Sequence, residues 1–218
     1  MQTKLYVGLD LHSNNTYVGA LDEDEHRVLK GKFPNQLEVI LSILEPYKDR
    51  VVGVVVESTY NWYWLVDGLI DQGYKVHLAN PVAFQPYNGL KYTDDKHDAF
   101  FLARMLKLGI LPEGYIMPNE DRQLRDLLRK RLKLVHQRTS HILSFQSLVS
   151  RNLGLSIPGD EIKKLEEEEI SDLFENEHLG LSARVNIAVI NQLKWLIYDI
   201  RFSLFKASML KPQFEKLL

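Results

Sequence analysis

The chain has 218 residues, 45% of them apolar, and a net charge of −2, enough apolar surface for a buried core and too much for wholesale disorder. There is no cysteine, which excludes disulfides and thiolate metal sites and fits a reducing, cytoplasmic setting. The opening MQTKLYVGLDLH meets an acid too early for a signal peptide, and no run approaches the roughly 20 apolar residues that cross a bilayer, so no membrane contact is expected.

In chain order, KLYVGLDLH (4–12), NTYVGALD (15–22) and HRVLKGKF (26–33) read as three strands joined by short turns, an antiparallel meander. NQLEVILSILEPYKD (35–49) has helical spacing at Leu37, Ile40, Leu41 and Leu44. VVGVVVE (51–57) is a continuous β-branched run, as in a strand covered on both faces. A helix over 58–74, a short strand over 75–81 and a helix over 94–109, each helix closed by a glycine, complete the order β-β-β-α-β-α-β-α. Such an order builds a mixed, five-stranded sheet with helices. It resembles the ribonuclease-H-like (RuvC-like) α/β fold, and it also fits the actin and sugar-kinase ATPase fold.

LPEGYIMP (111–118) reads as a linker, and 119–153 as one long helix with apolar positions from Leu124 to Val149. GLSIPGD (154–160) breaks it; an acidic helix over 161–176 and a second long helix over 182–211 follow. The expected organisation is a RuvC-like domain over 1–155 (catalytic core 1–110, linker 111–118, long helix 119–153) and a helical coiled-coil or dimerisation region over 156–218. Charge is uneven. Residues 122–151 hold eight Lys/Arg against Asp126, and residues 160–177 hold nine acids against Lys163 and Lys164.

Four acids carry the chemical signal. Asp10 sits inside an apolar strand that is central in such a fold, and Glu57 ends the strand that pairs beside it. Asp95 and Asp98, three apart on a helix, point the same way. A buried acid needs a partner, and clustered carboxylates raise one another's pKa and oppose folding. Mg²⁺ or Mn²⁺ reverses that penalty: such ions take oxygen ligands and keep waters, and a pair of them stabilises the entering and leaving oxygens of phosphodiester substitution. The plainer reading of DDKHD is a solvated helix start favoured by the helix dipole; two acids inside apolar strands tip the balance toward a metal site.

YVGLDLHSNNTYVGALDEDE, VVVEST and TDDKHDAFFLARML together resemble the RuvC-like N-terminal domain of the DEDD transposases. These are the insertion-sequence "one-ten" group, related to the Piv invertase and to bridge-RNA-guided recombinases. The family pattern falls on Asp10, Glu57, Asp95, Asp98 and Ala99 and spans about residues 4–155. The resemblance implies a transposase or recombinase that acts in DNA recombination and transposition. It would bind DNA and a structured guide RNA, use Asp10, Glu57, Asp95 and Asp98 as catalytic metal ligands, and form a homo-oligomer through the helical region. Family members continue into a domain with a serine nucleophile. This chain stops at KPQFEKLL, so no such serine is assigned, and the chain is expected to carry only the metal half of a composite site.

The basic run suggests phosphate contacts from Arg122, Arg125, Arg129, Lys130, Arg131, Lys133 and Arg138, against a solvated face paired with the acidic segment. YNWYW (60–64) suits base stacking but more commonly belongs to a core. His12 and His97 flank the acids, with structural hydrogen bonding the commoner role. The alternatives are a stand-alone RuvC-like endonuclease using metal-activated water, a non-catalytic RNA-binding dimerisation module, and a sugar-kinase-type phosphotransferase. The last is disfavoured because His12 stands where those enzymes need a glycine.

Overall fold

The structure is a computed structural model that describes residues 3–83, 95–170 and 173–210. It divides into two units, Met1–Ile116 and Met117–Leu218.

The first unit is built outward from strand β1 (Leu5–Leu11), which alternates Val7, Leu9 and Leu11 toward one face with Gly8 and Asp10 toward the other. Strands β2 (Asn15–Asp22) and β3 (Arg27–Pro34) follow antiparallel. Strands β4 (Val51–Glu57) and β5 (Val76–Ala79) are parallel to β1. The sheet order is β3-β2-β1-β4-β5-β6, the mixed sheet of a ribonuclease-H-like fold. The sixth strand, β6 (Glu113–Gly114), was not expected: two residues inside the proline-flanked linker pair antiparallel with β5, too few to leave a periodic signal. His77 Nδ1 lies 2.9 Å from Glu113 Oε1 across that pair.

Helices α1 (Leu37–Leu44) and α2 (Tyr63–Asp71) cover one face, packing Ile40, Leu44, Leu65, Val66 and Leu69 against Val7, Leu9, Val54, Val56 and Leu78. The expected helix over 35–49 tightens after Leu44 into a 3-10 turn, Glu45–Arg50, with Pro46 near its start.

Helix α3 (Asp95–Lys107) covers the other face. Its seat is made of absent side chains. Gly8 of β1 pairs with Gly19 of β2, and Ala99 and Phe100 lie over that pair. A Cβ on Gly8 would stand 1.9 Å from the Ala99 carbonyl oxygen. Farther along, Leu102 and Met105 pack on Val55 and Ala79, and Leu106 reaches Gly53, the partner of Tyr6. As α3 advances from Ala99 to Leu106, the sheet beneath it therefore runs back from Gly8 to the level of Tyr6, so α3 lies antiparallel to β1. Its far end is tied by Arg104 and Lys107 to Glu25 in the β2–β3 turn. Partial burial pushes the Glu25 carboxyl up, but Lys107 and Arg104 outweigh it and hold it below the usual range.

The second unit is a helical hairpin. Helix α4 (Asn119–Leu153) ends at Gly154, whose left-handed φ of 66° suits a residue without a Cβ. Helix α6 (Glu177–Leu210) opens with the Asn176 side chain accepting from the backbone N–H of His178 and Leu179. Leu134 meets Leu193 and Ile197, while Phe145 and Val149 meet Ala183 and Ile187, so the two helices run antiparallel. The acidic helix expected over 161–176 is not formed as such. Among the described residues only α5 (Gly159–Ile162) and a 3-10 turn, Glu168–Ile170, are helical there. Four consecutive glutamates repel along any helix, whereas Ile162, Ile170 and Phe174 gain by turning onto α4 and α6.

Gly8→Ala is expected to lower stability by about 1–3 kcal/mol through overpacking against main chain. Gly180→Ala, where a Cβ on α6 meets nothing within 4 Å, should raise it by up to about 1 kcal/mol. Urea unfolding followed by circular dichroism checks both.

Candidate metal centre

The parallel strands β1 and β4 end together. Their register pairs Gly8 with Val55 and Leu9 with Val56, so Asp10 and Glu57 are the next residues on adjacent strands. They share one sheet face, with backbones about 5 Å apart. That face is the one α3 covers, and Asp98 immediately precedes the Ala99 that sits on Gly8. The N-terminal end of α3 thus overlies the end of β1 that carries Asp10. Asp10 is 4% exposed; Glu57 and Asp98 are half-buried. The backbone of Asp95 opens α3, one turn before Asp98, and its side chain lies outside the described residues. Asp94 and the side chain of His97 also lie outside them.

A polar network fixes this rim. The His12 carbonyl accepts from Asn35 Nδ2 and from Asn61 Nδ2, both at 2.9 Å. Thr16 Oγ1 donates to Asn35 Oδ1 at 2.7 Å, and Thr59 Oγ1 donates to Asn61 Oδ1 at 2.9 Å. The N–H of Ser58 bonds the Ala79 carbonyl at 3.0 Å, holding the residue after Glu57 against β5. Segments after β1, β3 and β4 therefore converge on one turn, which positions His12, whose Nε2 lies 3.2 Å from Asp10 Oδ2. Reading the chain linearly misses Asn35 and Asn61, because an asparagine before a helix looks like a cap.

Asp10, Glu57 and Asp98 offer only carboxylate oxygens, the chemistry that suits a hard divalent cation and not softer metals, but their oxygens do not all lie within 4.8 Å of one another. A second carboxylate group, Asp22 with Asp24 and His26, lies at the opposite end of the sheet, where Asp22 pairs with Leu5. Its chemistry is local. Asp22 Oδ1 accepts from the N–H of Asp24 and of His26, both at 2.9 Å, and Oδ2 lies 3.2 Å from His26 Nδ1. Burial pushes the Asp22 carboxyl up, but those backbone bonds and the His26 ring hold it below the usual carboxylate range. It closes a hairpin turn.

Of the aromatic run, Trp62 is buried in the α1–α2 core, with Tyr63 and Trp64 packed against it; Tyr60 is exposed. Along α4, Arg129, Lys130 and Lys133 are exposed, Arg125, Arg131 and Arg138 are half-buried, and Arg122 is buried.

A ribonuclease-H-like sheet with acids at the ends of its two central parallel strands, and a helix opening on more acids above them, defines a class of nucleic-acid enzyme. The family model of the DEDD transposases of the IS110 group, described as Transposase, matches residues 7–152, and the chain belongs to that family. Its role is that of a transposase acting on DNA, and membership points to divalent-metal use. A search of curated proteins finds no match. No helix among the described residues is long and apolar enough to cross a membrane.

Asn35→Ala and Asn61→Ala should each cost about 1 kcal/mol, the net worth of a hydrogen bond. Because both serve the His12 carbonyl, the double variant should differ from the sum by more than about 0.5 kcal/mol in a double-mutant unfolding cycle.

Proposed function

We propose that Asp10, Glu57, Asp95 and Asp98 are the ligands of one or more Mg²⁺ or Mn²⁺ ions, and that they form the catalytic centre for DNA strand cleavage and exchange by this transposase. The observation that carries this reading is Asp10: a carboxyl 4% exposed, inside a central strand, next to Glu57 in register and under the acid-bearing end of α3. Burying one carboxylate is costly, and bringing others to it more so. A bound ion removes that cost and supplies Lewis-acid polarisation of a phosphoryl oxygen. Asp10 and Glu57 extend from adjacent strands, and a bound ion would draw Asp98 toward them from the helix. His12 braces the Asp10 carboxylate from the side, and Asn35 and Asn61 hold the His12 turn in place.

In this reading the basic face of α4 binds the sugar-phosphate backbone of DNA and of a structured guide RNA. Arg129, Lys130 and Lys133 reach outward, and Arg122, Arg125, Arg131 and Arg138 lie along the same helix. The chain pairs with a second copy through α6. The support is a seam of exposed apolar residues, Trp195, Tyr198, Phe202, Phe205 and Met209, spaced alternately three and four apart as in the a and d positions of a coiled coil.

In calorimetric melts, Mg²⁺ at about 100 times its dissociation constant should add about 2.7 kcal/mol of stability to the wild type. It should add nothing to Asp10→Asn with Glu57→Gln. In EDTA that double variant should melt no lower than the wild type, since it removes carboxylate repulsion. Equal stabilisation of both proteins by Mg²⁺ sinks the assignment. Light scattering tests the pairing: Trp195→Glu with Phe202→Glu should convert a dimer to a monomer, and a monomeric wild type defeats it.

A further inference from the structure

Helix α6 carries basic residues that no contiguous charge run announces. Arg131 and Arg138 of α4, and Lys194 and Arg201 of α6, all open onto one cavity of about 350 Å³ between the two helices, with Leu132 and Tyr198 among its walls. Each helix contributes its two cations seven residues apart, on one face and about 10.5 Å apart along the axis. Among the described residues no carboxylate lines the cavity, and none of these four cations is ion-paired. Arg131, Arg138 and Lys194 are half-buried, so their mutual repulsion is not fully screened by water. The acids that balance the net charge of the chain lie elsewhere, nine of them in residues 160–177.

Four cations without a carboxylate partner, two from each wall of one cleft, call for a polyanion of regular charge spacing; Lys194 has only the Trp195 ring, 6.0 Å away, beside it. A single small anion would meet two of them and leave the others about 10 Å away. A nucleic-acid strand advances about 3.4 Å per nucleotide along a duplex, so a few consecutive phosphates span the separation. Arginine suits phosphate oxygens by its paired N–H groups. The aromatic wall at Tyr198 offers a face for a sugar or base edge.

We infer that the α4–α6 cleft is a binding site for the phosphodiester backbone of a nucleic acid, with Lys194 and Arg201 of α6 supplying half of it. This deepens the nucleic-acid reading above and rests on it. It adds a second helix to a surface otherwise ascribed to α4 alone, and it makes the hairpin a two-sided clamp.

The test uses the whole chain and fluorescence anisotropy with labelled duplex RNA and, separately, duplex DNA, from about 50 to about 200 mM salt. Lys194→Gln with Arg201→Gln should weaken binding at low salt at least about tenfold and flatten the log–log salt slope by about 2, close to 0.9 for each DNA phosphate no longer neutralised. Lys194→Arg with Arg201→Lys should keep the wild-type slope. A control that removes two charges outside the cleft, Lys30→Gln with Lys206→Gln, should weaken binding far less. Weakening in both arms assigns the shared backbone; weakening in the RNA arm alone assigns the site to RNA, and in the DNA arm alone to DNA. The inference is overturned if the wild type binds and the α6 variant binds with an unchanged slope, or if the control weakens as much. It also falls if the α6 variant alters only the mass of the assembly, which would assign the cations to an interface between copies. A wild type that binds neither polymer overturns the broader nucleic-acid reading first. Circular dichroism of each variant separates loss of binding from loss of fold.

Discussion

The first unit depends on a contact between main chains. The carbonyl of Ala99 lies where a side chain on Gly8 would be, so α3 rests directly on the backbone of β1. Interiors pack at crystal-like density, and a helix seated this closely has little freedom to slide or roll. Asp10 is two residues beyond the seat and Asp98 one residue before it, so the contact that fixes the helix also fixes how the acids of strand and helix approach each other. The Gly19 partner of Gly8 widens the seat, and the ion pairs of Glu25 with Arg104 and Lys107 anchor the far end.

Around that seat the unit divides its tasks between faces. The α1–α2 face is largely apolar and carries the core, with the buried Thr16 near its edge bonded to Asn35. The α3 face is apolar near the start of β1 and acidic near its end. A parallel pair such as β1 and β4 finishes its strands at one edge, so residues 47 positions apart in sequence stand side by side. The asparagines at 35 and 61 complete the edge by bonding one carbonyl from two directions. In the second unit, a cleft with four cations and a run of exposed apolar residues along α6 give one hairpin two kinds of surface chemistry, which meet at Tyr198.

Much of this was legible from residue order. The β-branched run before Glu57 and the alternation around Asp10 made both acids anomalous, because each stands where its neighbours demand burial. The long helix over 119–153 was legible from periodicity and its closing glycine. What escaped had physical reasons. β6 is two residues long and exists only because β5 offers an edge. The acidic segment reads as a helix by propensity, yet tertiary packing of Ile162, Ile170 and Phe174 overrides it. Lys194 and Arg201 are scattered through a largely apolar helix, so only the antiparallel return of α6 along α4 reveals that they meet Arg131 and Arg138. Asn35 and Asn61 do their work across the sheet, a relation invisible in one dimension.

The outermost strand, β3, has a further consequence. Among the described residues no strand pairs with its outer side, a row of backbone donors and acceptors able to recruit a strand from another molecule, the usual route to sheet-to-sheet aggregation. Here that border carries Arg27, Lys30 and Lys32 and ends in Pro34, which has no N–H to offer. Two approaching borders of this kind would meet like charge against like charge and run out of donors at one end. The cations of this border therefore also guard colloidal behaviour, and a protein of nearly neutral overall charge has particular need of them.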